Sequence, residues 1–210
     1  MGVVEEKDAT PAQQAIKEIN SGSCVTWTEN LHAWLPQIQA HNQQQEYYLT
    51  DMVALAAQAG KAIQSFSPEH PQEVQGVNDR LQLEQLERYW QQQQAEDWLR
   101  AGVMISDSRR FDQRGEAEIA ADVSLDVNLV LEGKVKIGKG CRIGPNCYLK
   151  NVTLGENVEI KANSVLEEAV VADDCVIGPF ARLRPGTVLA RGAKVGNFVE
   201  LKNCELGARS

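Results

Sequence analysis

Two cations eighteen residues apart are the residues whose type and spacing point most directly to chemistry. Arg184 and Lys202 each follow an aliphatic residue, Leu183 and Leu201, in a stretch where such anchors return about every six positions. If three repeats make one turn of a coil, the two cations are stacked as neighbours. Like charges held about 4.8 Å apart repel unless an anion lies between them, and an Arg with a Lys suits a phosphate. The same slot in the preceding coils carries Glu132, Lys150 and Glu167, whose signs alternate as cross-strand neighbours prefer. The alternation breaks at Arg184 over Lys202. Splaying of both side chains into solvent, or pairing with Glu200 or Glu205, explains the break equally well. The three histidines, His32, His41 and His70, all precede the coil, so the visible coils supply neither a histidine base nor histidine ligands for zinc.

The element that must position this pair runs from Ile119 to Leu206. Its anchors are Ile119, Leu125, Leu131, Ile137, Ile143, Leu149, Leu154, Ile160, Leu166, Val171, Ile177, Leu183, Leu189, Val195, Leu201 and Leu206, and three of the steps are five residues long. Two residues before most anchors stands a small or β-branched residue, among them Cys141, Cys147, Cys175 and Cys204. A period of six fits neither a helix nor an ordinary strand, and it predicts a left-handed parallel β-helix of hexapeptide repeats. The four coil cysteines read as small interior hydrophobes, as does Cys24, and none forms a close metal-binding pair. Glycines just after anchors, such as Gly138, Gly144, Gly155 and Gly178, are expected to turn the backbone at the corners.

Ahead of the coil, strand-like segments at Val3–Val4, Ile19–Val25 and Ala62–Phe66 alternate with helical patterns at Leu31–Ile38 and Asp51–Ala59. Thr50 is the expected N-cap of the latter helix and Gly60 its stop. The alternation suggests the end of an α/β domain. Asn78 is the expected cap of a long polar helix from Asp79 to about Ala101, a spacer whose glutamine run, Gln91 to Gln94, faces solvent. The domain expectation is 1–78, a linker helix over 79–102, and coils over 103–210.

Composition limits the alternatives. With 210 residues and 43% hydrophobic content the chain can bury real cores, and its formal charge of −8 argues against a broad nucleic-acid surface. No apolar run is long enough to span a bilayer, and a cytoplasmic location with no membrane partner is the expectation.

The order GVVEEKDAT, EINSG, EYYLTD, GVNDRLQL, a linking helix, AGV with RFD, and coils carrying IGPFARLRPG and VGNFVELK closely resembles the bacterial family that joins N-acetylglucosamine-1-phosphate uridyltransferase to glucosamine-1-phosphate N-acetyltransferase. The resemblance spans essentially the whole chain. It implies that residues 1–78 are the last third of a Rossmann-like uridyltransferase domain. It further implies that Glu5, Asn20 and Asn78 contact the uridine-diphosphate sugar, that Asn78 also holds Mg2+, and that Arg184 and Lys202 bind the phosphosugar. Acetyl-coenzyme A would be co-substrate, UTP, N-acetylglucosamine 1-phosphate and glucosamine 1-phosphate the ligands, and the assembly a homotrimer. The family's Gly-rich phosphate loop, the aspartate that shares its magnesium, and its histidine base have no counterpart here. An internal fragment, inactive alone in both half-reactions, is therefore expected. Another nucleotidyltransferase with hexapeptide coils, or a non-catalytic trimerising scaffold, are the competing readings.

Overall fold

A computed structural model describes residues 2–210, and their contacts divide the chain between Asn78 and Asp79. In the first unit the helices are α1 (Pro11–Gln14), α2 (Thr28–Trp34) and α3 (Asp51–Gln58). Thr10 caps α1 reciprocally: its hydroxyl accepts from the Gln13 amide at 3.4 Å, and Gln13 Oε1 accepts from the Thr10 amide at 2.9 Å. Pro36 turns the end of α2 into a 3-10 helix, Leu35–Gln37. The last turn of α3 closes on Gly60, at φ +66°, where the Lys61 amide reaches back to the Ala56 carbonyl at 3.0 Å. Thr50, in contrast to its expected role, is already helical, at φ −61° and ψ −20°, and makes no side-chain cap bond. Trp34, Met52 and Ala56 form the buried core of this unit, with Leu31, Ile38, Leu55 and Ile63 packed around them.

None of the three segments expected as strands pairs with another among the described residues of this unit. A strand exists only where a neighbour completes its ladder, and apolar side chains alone do not supply one. Accordingly Ile19, Val25 and Phe66 stand 83%, 101% and 93% exposed.

The second unit opens with α4 (Arg80–Arg100), 21 residues long. Its cap is Asp79, one residue later than expected: Asp79 has extended backbone and its carboxylate accepts from the Gln82 amide at 2.8 Å. The helix is no solvated spacer, because Ala95 and Gln91 are buried against the first coil. That coil contains β1 (Met104–Ile105) and β2 (Phe111–Ile119), followed by β3 (Ser124–Leu125) and β4 (Leu129–Ile137). The Gln91 side-chain amide takes the place of a neighbouring strand: it accepts from the Gln113 amide at 2.7 Å and donates to the Gln113 carbonyl at 3.0 Å. Trp98 Nε1 donates to Gln113 Oε1 at 2.8 Å, and Arg88 pairs with Asp112 at 2.9 Å.

From there the chain is a parallel β-helix with three faces. One face stacks Leu131, Leu149, Leu166, Leu183 and Leu201 in direct register. A second stacks Ile105, Leu125, Ile143, Ile160, Ile177 and Val195. The third stacks Ile119, Ile137, Leu154, Val171, Leu189 and Leu206. The anchors and the small series, including Cys141, Cys147 and Cys175, fill one continuous interior. Burial pushes these three thiols up, so they are inert packing residues. The remaining two cysteines depart from the expectation: Cys24 is exposed and Cys204 half-buried. The buried hydroxyls are satisfied by backbone carbonyls, Ser164 at Lys161 (2.9 Å) and Thr187 at Arg184 (2.7 Å).

The corners are made differently from the expectation. The left-handed residue lies two or three positions after the anchor, in columns such as Asn128, Asn146 and Asn163, or Asn151, Glu168, Gly186 and Asn203. All three five-residue steps fall on the latter corner. Of the glycines directly after anchors only Gly178 has positive φ. Gly138 is instead required by close approach, since a Cβ there would run into the Gly155 carbonyl of the next coil.

Candidate functional site

The face carrying Leu183 and Leu201 presents its outward residues in two charged columns. Arg182 lies opposite Glu200 in the ladder, and Arg184 and Lys202 follow the paired anchors one position later. The Arg184 amide donates to the Leu201 carbonyl at 2.8 Å, so the eighteen-residue register places the two cations on adjacent coils.

Earlier along the edge, Lys150 pairs with Glu132 at 2.8 Å, and Tyr148 Oη donates to the same carboxylate at 2.9 Å. The hydrogen bond from Lys150, followed by that from Tyr148, holds the Glu132 carboxyl below the usual carboxylate range. Glu132 correspondingly raises Lys150. Glu167 turns to Arg182 (3.4 Å) rather than to Arg184. Arg184 pairs with Glu200 at 2.9 Å, one of the pairings the sequence left open, whereas Glu205 belongs to another face, opposite Val188. Lys202 is exposed and makes no hydrogen bond or ion pair among the described residues. Among the described residues, Arg184 and Lys202 are therefore stacked cations with only one carboxylate engaged. Glu200 occupies a single terminal nitrogen of Arg184, which leaves donors of the guanidinium for an oxyanion.

At the outer border of this face, the corner column Asn128, Asn146 and Asn163 continues as Phe180 and Phe198, all with φ between +54° and +60°. The two rings stack at 5.1 Å and 15°, and they are 48% and 76% exposed. Sequence reasoning missed this pair. Its signal was available as the replacement of asparagine by phenylalanine at a fixed phase.

The site residues expected in the first unit are more dispersed. Glu5 lines a hollow of about 410 Å³ together with Asp8, His41, Asn42, Tyr48 and Asp51. Asn20 is not among the residues lining it. Its amide oxygen accepts from the Gly22 amide at 2.6 Å. Asn78 is exposed and directly precedes the Asp79 cap. A single amide oxygen does not make a magnesium site, and the described residues contain no group of three carboxylate, histidine or cysteine side chains able to hold a metal ion. Nor is any helix among them long and apolar enough to cross a membrane.

Comparison with known proteins gives two kinds of match. Residues 114–207 match the family model described as the GMPPB C-terminal domain. Along its whole length the chain is 52% identical to the bifunctional protein GlmU of Alkalilimnicola ehrlichii, covering 100% of this chain and 45% of that relative. It is 50% identical to GlmU of Marinobacter nauticus and 49% identical to that of Acinetobacter baumannii, each match covering 99% of this chain and 46% of the relative. The chain spans about half the length of the curated relatives it matches.

Proposed function

The chain belongs, over the half-length it spans, to the bifunctional GlmU family, and on that premise we propose that it carries parts of both sites of an enzyme making UDP-N-acetylglucosamine. Whole-length identity of about half to GlmU proteins carries this reading. Residues 2–78 contribute to uridylyl transfer from UTP to N-acetylglucosamine 1-phosphate, with Glu5, Asn20 and Asn78 as sugar-nucleotide contacts whose oxygens accept from hydroxyls. The coils contribute to acetyl transfer from acetyl-coenzyme A to glucosamine 1-phosphate. Magnesium is assigned by family membership alone. Asn78 would offer it one amide oxygen, and the described residues present no carboxylate, histidine or cysteine cluster that would complete its site.

In acetyl transfer, Arg184 and Lys202 bind the phosphate of the sugar. The phosphate shares Arg184 with Glu200 or displaces that carboxylate, and it pairs with Lys202 as well. Two charge-assisted contacts from adjacent coils fix the sugar so that its amine can be presented to a thioester carbonyl. The amine must lose a proton on acylation, and the coils of this chain hold no histidine to take it. Inactivity of the 210 residues alone in acetyl transfer follows from that reading, and their inactivity in uridylyl transfer is part of the same proposal. Homotrimer assembly and a cytoplasmic location are part of the same proposal.

Charge reversal tests the coil reading. Arg184→Glu, in a protein carrying this chain at the full length of its relatives, is expected to weaken binding of glucosamine 1-phosphate at least about a hundredfold, as truncating charge pairs commonly does. Unchanged affinity would remove Arg184 from the site. The match of residues 114–207 to the GMPPB C-terminal domain favours a second reading, a nucleotidyltransferase with a different sugar phosphate. A substrate panel covering several hexose 1-phosphates distinguishes the two.

A further inference from the structure

The aromatic pair and the cation pair occupy the same two coils. Phe180 precedes Arg184 by four residues, Phe198 precedes Lys202 by four, and ladder pairing of Leu183 with Leu201 puts both columns in register. In the earlier coils the same two columns hold Asn128, Asn146 and Asn163 at the corner and Glu132, Lys150 and Glu167 at the edge. The changes at the two borders of the face thus coincide.

The corner substitution runs against local preference. Asparagine tolerates the left-handed region, whereas a bulky residue there is an outlier, and strain of this kind concentrates at functional sites. The asparagines also bond one another along the column, Asn128 to Asn146 at 2.7 Å and Asn146 to Asn163 at 3.2 Å. Phe180 and Phe198 end that ladder. They replace it with a ring pair left largely in water, which is no gain for folding by itself.

We propose that Phe180 and Phe198 form the apolar wall of the sugar-phosphate site, packing against the C–H face of the pyranose while Arg184 and Lys202 hold its phosphate. The proposal rests on the assignment of that cation pair in the preceding section. The two borders are separated by on the order of 13 Å of chain. Arg184 narrows the gap by leaning toward Glu200, which stands in the middle column between them. A hexose has an apolar face beside its hydroxyls, and aromatic faces with a distant charge clamp select for that combination rather than for phosphate alone. The pair is thus a positioning and specificity element that takes no part in proton transfer.

The test replaces both rings by the residue the corner otherwise uses. Phe180→Asn with Phe198→Asn should keep or raise the melting temperature, since asparagine suits this backbone. In a protein at the full length of its relatives, KM for glucosamine 1-phosphate should rise about tenfold with kcat nearly unchanged. Inhibition by inorganic phosphate, uridylyl transfer and sedimentation should stay as before, and Phe→Tyr at both positions should restore KM. An unchanged KM overturns the proposal, as does a rise accompanied by loss of assembly, because the rings would then act between subunits. Arg184→Ala separates the underlying reading: if it leaves KM and phosphate inhibition untouched, the cation pair is misassigned, whatever the phenylalanines do.

Discussion

Residues 2–78 and the coil both carry aliphatic side chains, more densely in the coil, but use them differently. In the coil, from Ile119 onward, each anchor meets the next anchor of its face seventeen or eighteen residues along, so a short stretch of chain contains everything its ladder needs. In the first unit three buried residues form the centre, while Val25, Trp27, Tyr47 and Phe66 remain largely exposed. A solenoid can be complete locally, repeat by repeat. A sheet whose strands come from distant parts of a chain cannot.

The largest test of that contrast is in the core. Leu166→Ala, fully buried between Leu149 and Leu183, should cost about 3 kcal/mol or more in denaturant unfolding of the coil. Val25→Ala, at a fully exposed position, should stay within about 0.5 kcal/mol. Equal effects would mean that burial does not separate the two regions.

An intermediate effect is expected where coils touch through backbone. Gly138→Ala drives a methyl group into the Gly155 carbonyl and should cost about 1–3 kcal/mol, read from the melting temperature. Gly196→Ala meets nothing within 4 Å and should be neutral. If the post-anchor glycines mattered through turn conformation, both would be damaging.

The smallest effect is electrostatic. Burial works to raise the Asp112 carboxyl, but hydrogen bonds from Arg88 and Arg114 outweigh it and hold the group below its ordinary 3.8. A depressed carboxyl stabilises the fold above its unfolded value, and that contribution is lost as pH falls through the lower folded value. Arg88→Met should therefore flatten the acid side of the coil's melting profile below about pH 4. The change should be under about 1 kcal/mol, because Arg88 is 41% exposed and screened. No ion pair is found in the first unit among the described residues, so its acid response should be unaffected.

Much of the coil was legible in sequence because side-chain phase and ladder register are the same quantity in a solenoid. Its beginning was not. The anchor slot opposite Leu131 is held by Gln113, whose role emerges only with Gln91 against it. The strand-like runs of the first unit misled for the opposite reason: apolar composition is local, but pairing is not. At the candidate site, register alone brought Arg184 beside Lys202, while the turn of Arg184 to Glu200 depended on side-chain reach. The corner phenylalanines escaped a pattern search built on interior positions.

The Gln91–Gln113 exchange has a consequence for aggregation. The open edge of a parallel coil is a template onto which another chain can add strands. By mimicking a peptide group, the Gln91 side chain occupies both ladder bonds of Gln113, and buried Ala95 brings the helix onto that end. Helix α4 is thus a stopper that keeps the column from growing backwards, and its polarity, unexpected for a packing helix, is what allows a side chain to stand in for a strand.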